Sequence, residues 1–195
     1  MNRQKLGVLL LGISIGTALL AALSSISSSA QAVQLSDGTV FFISPPRLEG
    51  ASTTQNSARA WVVTYYFTVT IPENAGEPLQ KVTIAQDENT DTVRFSLRET
   101  EAFEGSRGRL GATLPLGGVS SDPKTRAVTV TFNPPVEPGK TVTIALSPRA
   151  NPDYAGVYLF GVTAFPPGEK PHGQFLGFGR FNIYSSGLDA FFRFR

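Results

Sequence analysis

From Trp61 to Ile71 the chain alternates. Trp61, Val63, Tyr65, Phe67, Val69 and Ile71 fall on one side, and Val62, Thr64, Tyr66, Thr68 and Thr70 on the other. A period of two sends successive side chains to opposite faces of an extended backbone, so this run predicts a half-buried strand. Shorter runs with the same period follow at Val82/Ile84, Val93/Phe95/Leu97, Val128/Val130/Phe132 and Val142/Ile144/Leu146, with threonine or arginine opposite. Val157 to Phe165 is apolar on both sides and predicts a central strand covered on both faces. Phe175 to Tyr184 alternates again but carries Gly177 and Gly179 inside the run, the mark of a bulge or of a ring lying against backbone. With Thr39 to Ile43 at the front, the pattern gives about eight strands. Asn133 to Gly139 reads as a hairpin loop, and Thr100 to Glu104 as a single helical turn stopped by Gly105.

All 14 prolines and 16 of the 19 glycines lie after Ala32, which leaves little room for long helices between turns. Short strands punctuated in this way predict an all-β fold, an antiparallel β-sandwich, with an immunoglobulin-like arrangement as one form of it. Phe175, Phe178 and Phe181 then either fill the sandwich core, the reading adopted here, or present their faces to sugar rings.

The first residues carry a different pattern. Arg3 and Lys5 precede an uncharged stretch from Leu6 to Leu23, and a small, polar segment ends in Ala30-Gln31-Ala32. A positive start, an apolar centre and small residues at Ala30 and Ala32 predict a secretory signal cleaved after Ala32, with an uncleaved anchor as the rival. The expected organisation is therefore a leader over 1–32, a single sandwich domain over 33–184 and a Phe/Arg-rich tail over 185–195. The leader also changes the charge. The whole chain has 17 basic and 15 acidic residues, a formal +2, but without Arg3 and Lys5 the count is 15 against 15. Its cations are scattered as well, with no run or stripe, so no nucleic-acid partner is implied. Zero cysteines exclude a disulfide framework and thiolate metal sites, and one histidine excludes multi-His sites.

The candidate chemistry is sparse. Pro166 to Gly173 is a loop between two apolar runs, and Glu169, Lys170 and His172 place an acid, a cation and a base within it. With Arg180 further on, these four form the candidate binding set. No serine lies in a Gly-x-Ser-x-Gly elbow, and the lone histidine shows no orienting partner, so no catalytic residue is assigned and the chain does not read as an enzyme. Asp87, Asn89 and Asp91 place oxygens at every second position, like the start of a calcium loop. Thr92 and Arg98 stand where such a loop needs glycine and glutamate, so an acidic hairpin tip is the preferred reading. No cofactor is implied. Phe191-Phe192-Arg193-Phe194-Arg195 suits a terminal strand, a strand added to a partner, or a segment lying at a membrane surface.

Longer strings carry a family likeness. They include Leu35-Ser36-Asp37-Gly38-Thr39-Val40, Pro45-Pro46-Arg47, Thr64-Tyr65-Tyr66-Phe67 and Pro72-Glu73-Asn74-Ala75-Gly76-Glu77-Pro78-Leu79-Gln80. Ala102-Phe103-Glu104-Gly105, Gly156 to Pro166 and Gly168 to Arg180 continue the series. The sequence resembles the cyanobacterial domain of unknown function 2808 family over nearly all of Val33 to about Tyr184. The resemblance implies a cyanobacterial exported protein and supplies no activity. The expectation is an exported envelope protein, periplasmic or extracellular, non-catalytic, binding or structural, with an envelope protein or glycan as partner and no membrane span in the mature chain. Two alternatives stay open: a secreted metal-independent hydrolase using the His172 loop with Glu169, and a membrane-associated accessory protein held by its Phe-rich tail.

Overall fold

The computed structural model describes residues 33–34, 36–88 and 91–185. The expected cleavage site at Ala30 and Ala32, Asn89 of the acidic triplet, and the Phe-rich end lie outside the described residues. Within them all helix and strand structure is β, in two five-stranded sheets and one three-stranded sheet. The first sheet runs β3 (Arg47–Thr53), β4 (Tyr65–Thr70), β10 (Thr141–Pro148), β6 (Phe95–Ser106) and β7 (Arg109–Thr113). The second runs β13 (Gln174–Ile183), β11 (Gly156–Phe165), β5 (Leu79–Gln86), β9 (Ala127–Val136) and β8 (Leu116–Asp122). Both are antiparallel throughout and face each other as a sandwich. The small sheet joins β1 (Val33–Gln34), β2 (Thr39–Phe41) and β12 (Lys170–Pro171), the last two in parallel.

Inward positions make the core. Tyr65 and Phe67 of β4 meet Phe160 of β11 and Phe181 of β13 across the two sheets, with Tyr65 stacked on Phe181 at 4.3 Å between ring centroids. Phe160 meets Tyr65, Phe67 and Phe181 edge-on at 5.5–6.0 Å, within the range where aromatic pairs add to area burial. This close approach depends on Gly179. A Cβ there would stand 2.7 Å from Cβ of Ala51 and 2.8 Å from the Phe67 ring. The threonines between the inward positions pair across strands instead: Thr68 with Thr143 at 3.0 Å, Thr70 with Thr141 at 2.9 Å and Thr83 with Thr129 at 3.2 Å between hydroxyl oxygens. The first pair is buried and the other two are part-buried, and all give uncharged polar cross-strand contacts.

The sandwich expectation holds, with several corrections. The described residues form thirteen strands, more than the expected eight, because β1, β3, β7, β8 and β12 are too short or too polar to show an apolar period. Thr100 to Glu104 is part of β6 and not a helical turn. Its inward residue Ala102 is small, which hides the period of two, and it pairs with Ile144 of β10. The strand beginning at Trp61 starts only at Tyr65. Asn151 fixes the preceding loop: it donates to the carbonyls of Gln55 and Ser57 at 3.0 and 2.8 Å and accepts the Tyr65 hydroxyl at 2.8 Å. Trp61 and Val62 consequently project into solvent, 76% and 94% exposed. Asn133 to Val136 belongs to β9, so the turn is shorter than the one read from the sequence. β11 is central in its sheet, yet only its Tyr158, Phe160, Val162 and Ala164 side is buried. Its other side faces outward, and that surface forms part of the candidate site.

Candidate functional site

The four predicted binding residues divide between two places. Glu169 and Lys170 line a cleft of about 530 Å³ together with Asp37, Val40, Glu77 and Pro167. The cleft exists because β12 lies parallel to β2, with the His172 backbone N–H donating to the Val40 carbonyl at 2.8 Å and Lys170 Nζ donating to the Asp37 carbonyl at 3.0 Å. Asp37 accepts the Thr39 N–H at 3.0 Å, and this bond holds its carboxyl below the ordinary range. Glu77 is the residue that sequence reasoning missed. It is 6% exposed, its Oε1 is buried without a hydrogen-bond partner, and burial pushes its pKa up. Nothing in the order Gly76-Glu77-Pro78 distinguishes a buried glutamate from a turn residue. His172 is exposed and does not line the cleft.

Arg180 belongs to a different surface, on the outer face of β13. It lies opposite Leu159 of β11, two residues from Phe178. The predicted bulge is present at Gly177, whose φ is +119°, and the β11–β13 register shifts between Val162 and Thr163. The extra residue changes the parity of the strand. Phe178 pairs with Gly161 and Phe175 with Thr163, so two phenylalanines three positions apart share one outer face. Their rings meet edge-on at 5.2 Å between centroids and lie over Gly161, where a Cβ would be 3.2 Å from the Phe175 ring. Both are about half exposed, whereas Phe181 is buried. The core reading therefore holds for Phe181 and is corrected for Phe175 and Phe178. Along the same face Phe165 is half-buried, with Lys81 Nζ 4.5 Å from its ring centroid.

The acidic triplet takes other roles. Asp91 accepts the Thr92 N–H at 2.8 Å and the Asp153 N–H at 2.6 Å, one on each carboxylate oxygen. The Asp87 N–H donates to the Leu159 carbonyl. The segment is not a hairpin tip, because β5 and β6 lie in different sheets and the connection crosses between them. Among the described residues no group of three His, Cys, Asp or Glu side chains is placed to hold a metal ion. No helix of the described residues is long and apolar enough to cross a membrane.

A two-sheet sandwich whose outer face carries paired, half-exposed aromatic rings is the class of molecule these residues define. Within that class the chain belongs to the family described as protein of unknown function DUF2808, which matches residues 39–183. No curated protein matches it in sequence. Among solved structures it is similar to the collagen-binding domain of a Staphylococcus aureus adhesin, at 8% identity over 74% of this chain and 97% of that one, with a TM-score of 0.38. It is also similar to the C-terminal domain of the Streptococcus pyogenes antigen I/II-family protein AspA, at 12% identity and a TM-score of 0.39, over 69% of this chain but only 46% of that one. A cohesin module of a Clostridium perfringens family 33 glycoside hydrolase gives 14% identity and a TM-score of 0.36 over 72% and 99% of the two chains.

Proposed function

We propose that the protein is an exported, non-catalytic binding module of the cell envelope that engages a glycan through the outer face of β11 and β13. The observation that carries this reading is the Phe175–Phe178 pair, held half-exposed over Gly161 by the Gly177 bulge. Contiguous apolar groups left exposed on a rigid sheet face mark interaction sites. Beside the two rings on this face, Thr83, Thr163 and Arg180 supply hydroxyl and guanidinium groups, and Leu159 and Phe165 extend its apolar part. Exposed rings with hydrogen-bonding groups beside them suit the C–H face and hydroxyl rim of a sugar. Export to the periplasm or beyond rests on the leader over 1–32, and the organisation into leader, sandwich and tail is carried as part of the same reading.

Affinity capture with the tagged mature protein, from envelope and medium fractions and on a glycan array, tests the reading. Recovery of a glycan that a Phe175→Ala/Phe178→Ala double variant fails to retain supports it. Capture of a protein alone, or glycan capture unchanged in the double variant, overturns it. Mass spectrometry of the exported protein is expected to find Val33 as the first residue, and an intact Met1–Ala32 would refute the leader.

A further inference from the structure

A second cleft, of about 560 Å³, lies between the two sheets at the start of β6 and the β8–β9 turn. Its size is within the range of small-molecule sites. Arg94, Arg126 and Arg149 line it together with Phe95, Leu97 and Val128. The three arginines are far apart in sequence; a backbone contact joins two of them, and the third is tied to the end of β5. The Arg149 N–H donates to the Arg94 carbonyl at 2.9 Å, where β10 leaves β6. Arg126 sits in the turn before β9 with φ +54°, and its carbonyl accepts the Gln86 N–H. The lining contains a single acid, Asp122. Its carboxylate is already engaged by the Lys124 N–H at 2.8 Å and the Thr125 hydroxyl at 3.0 Å. Among the described residues no ion pair joins a carboxylate to any of the three arginines. Three guanidinium groups against one carboxylate leave the cleft with a net charge of +2. Below the arginines the floor is apolar: Val128 belongs to the core, and Phe95 and Leu97 pack against it, with the Phe95 ring 5.9 Å from Tyr65.

We propose that this cleft binds a small amphipathic anion, a carboxylate or phosphate monoester on an apolar chain, with its head between Arg94, Arg126 and Arg149 and its chain on Phe95, Leu97 and Val128. Guanidinium groups match both head groups through paired, charge-assisted hydrogen bonds. A bare inorganic anion leaves the apolar floor uncovered, and a neutral amphiphile leaves the three cations unmatched. The cleft contains neither Phe175 nor Phe178, so its failure leaves the aromatic-face reading standing, and the reverse also holds.

The test titrates the mature protein with sodium decanoate and with decyl phosphate, below the onset of micelles, following backbone amide shifts and the melting temperature. Inorganic phosphate and decyl maltoside are the controls. Saturable shifts at Val93 to Leu97 and Ala127 to Val128 are expected with both probes and with neither control. The Arg94→Gln/Arg149→Gln double variant, which changes two exposed side chains, is expected to bind at least about tenfold more weakly. If that variant does not fold, wild-type protein decides the matter, because added salt should weaken the binding of an exposed anionic head. A free acid is indicated if decanoate binds more tightly, and a phosphate ester if decyl phosphate does. Decyl maltoside binding as well as the anions, affinity unchanged in the double variant, or binding insensitive to salt would each overturn the proposal.

Discussion

The inner and outer aromatic groups are built from the same two strands and have opposite fates. Phe160 and Phe181 point inward from β11 and β13 and are at most 2% exposed, while Phe175 and Phe178 stand on the opposite side, about half exposed. Residue type does not separate them, since all four are phenylalanine in glycine-containing strands. Parity separates them, and parity is reset at one residue. Without the Gly177 bulge, Phe175 and Phe178 would lie on opposite faces, because residues three apart in a regular strand point in opposite directions. The two sets therefore answer to different requirements. The inner rings hold the sheets together, and the outer rings satisfy no packing need of the domain.

The largest effect is expected where the inner set is cut. Phe160→Ala removes a ring that meets Tyr65, Phe67, Phe95 and Phe181, and should lower stability by about 3–5 kcal/mol in chemical denaturation. Gly177→Ala tests the hinge between the two sets. No atom would obstruct the added methyl, so the penalty comes from φ +119° alone, about 1–3 kcal/mol. The variant should also lose glycan binding if the strand relaxes to a regular register, and an unaltered Phe175–Phe178 contact in its amide and aromatic spectra would argue against the bulge as the cause.

Glu77 sharpens the comparison, being as buried as an inner ring yet polar and without a partner at Oε1. Burial raises its pKa in the folded state, so over the window from the ordinary glutamate value up to the raised one the native protein holds a proton that the unfolded chain has released. The stability this contributes is complete below the unfolded pKa and is lost as pH rises through the folded one. Glu77→Gln should remove that part of the decline in melting temperature with rising pH, and an unchanged profile would mean that the carboxylate is solvated. The smallest effect is expected at the outer rings: Phe175→Ala and Phe178→Ala should each change stability by no more than about 0.5 kcal/mol.

How far these features could be read from sequence follows from the same geometry. The period of two from Tyr65 to Ile71 and at Val142/Ile144/Leu146 is legible because large apolar residues face a closed core. Glycines at 177 and 179 announce an irregular strand, and both prove structural, one as a bulge and one as a close approach of β13 to Ala51 and Phe67. What period cannot show is which sheet a strand joins. That hides the crossing from β5 to β6 and makes the segment around Asp91 resemble a hairpin tip. It cannot show that Trp61 leaves the strand, because the clamp that holds its loop is Asn151, 90 residues away. Nor can it show the three-arginine cleft, since Arg94, Arg126 and Arg149 form no run. Of the candidate set, Glu169 and Lys170 line one cleft, His172 lies outside it, and Arg180 stands on the outer face of β13, a division that their spacing along the chain does not reveal.

The measurement that bears most directly on this account is made on the Phe175→Ala/Phe178→Ala double variant, reading melting temperature and affinity for the captured envelope glycan in the same preparation. The account predicts a melting temperature within a few degrees of the parent, as surface truncations of this size allow, and binding reduced by about tenfold or more. A variant that unfolds, or one that keeps full affinity, would contradict it: the first would make the outer rings part of the core, and the second would leave them without the role assigned to them.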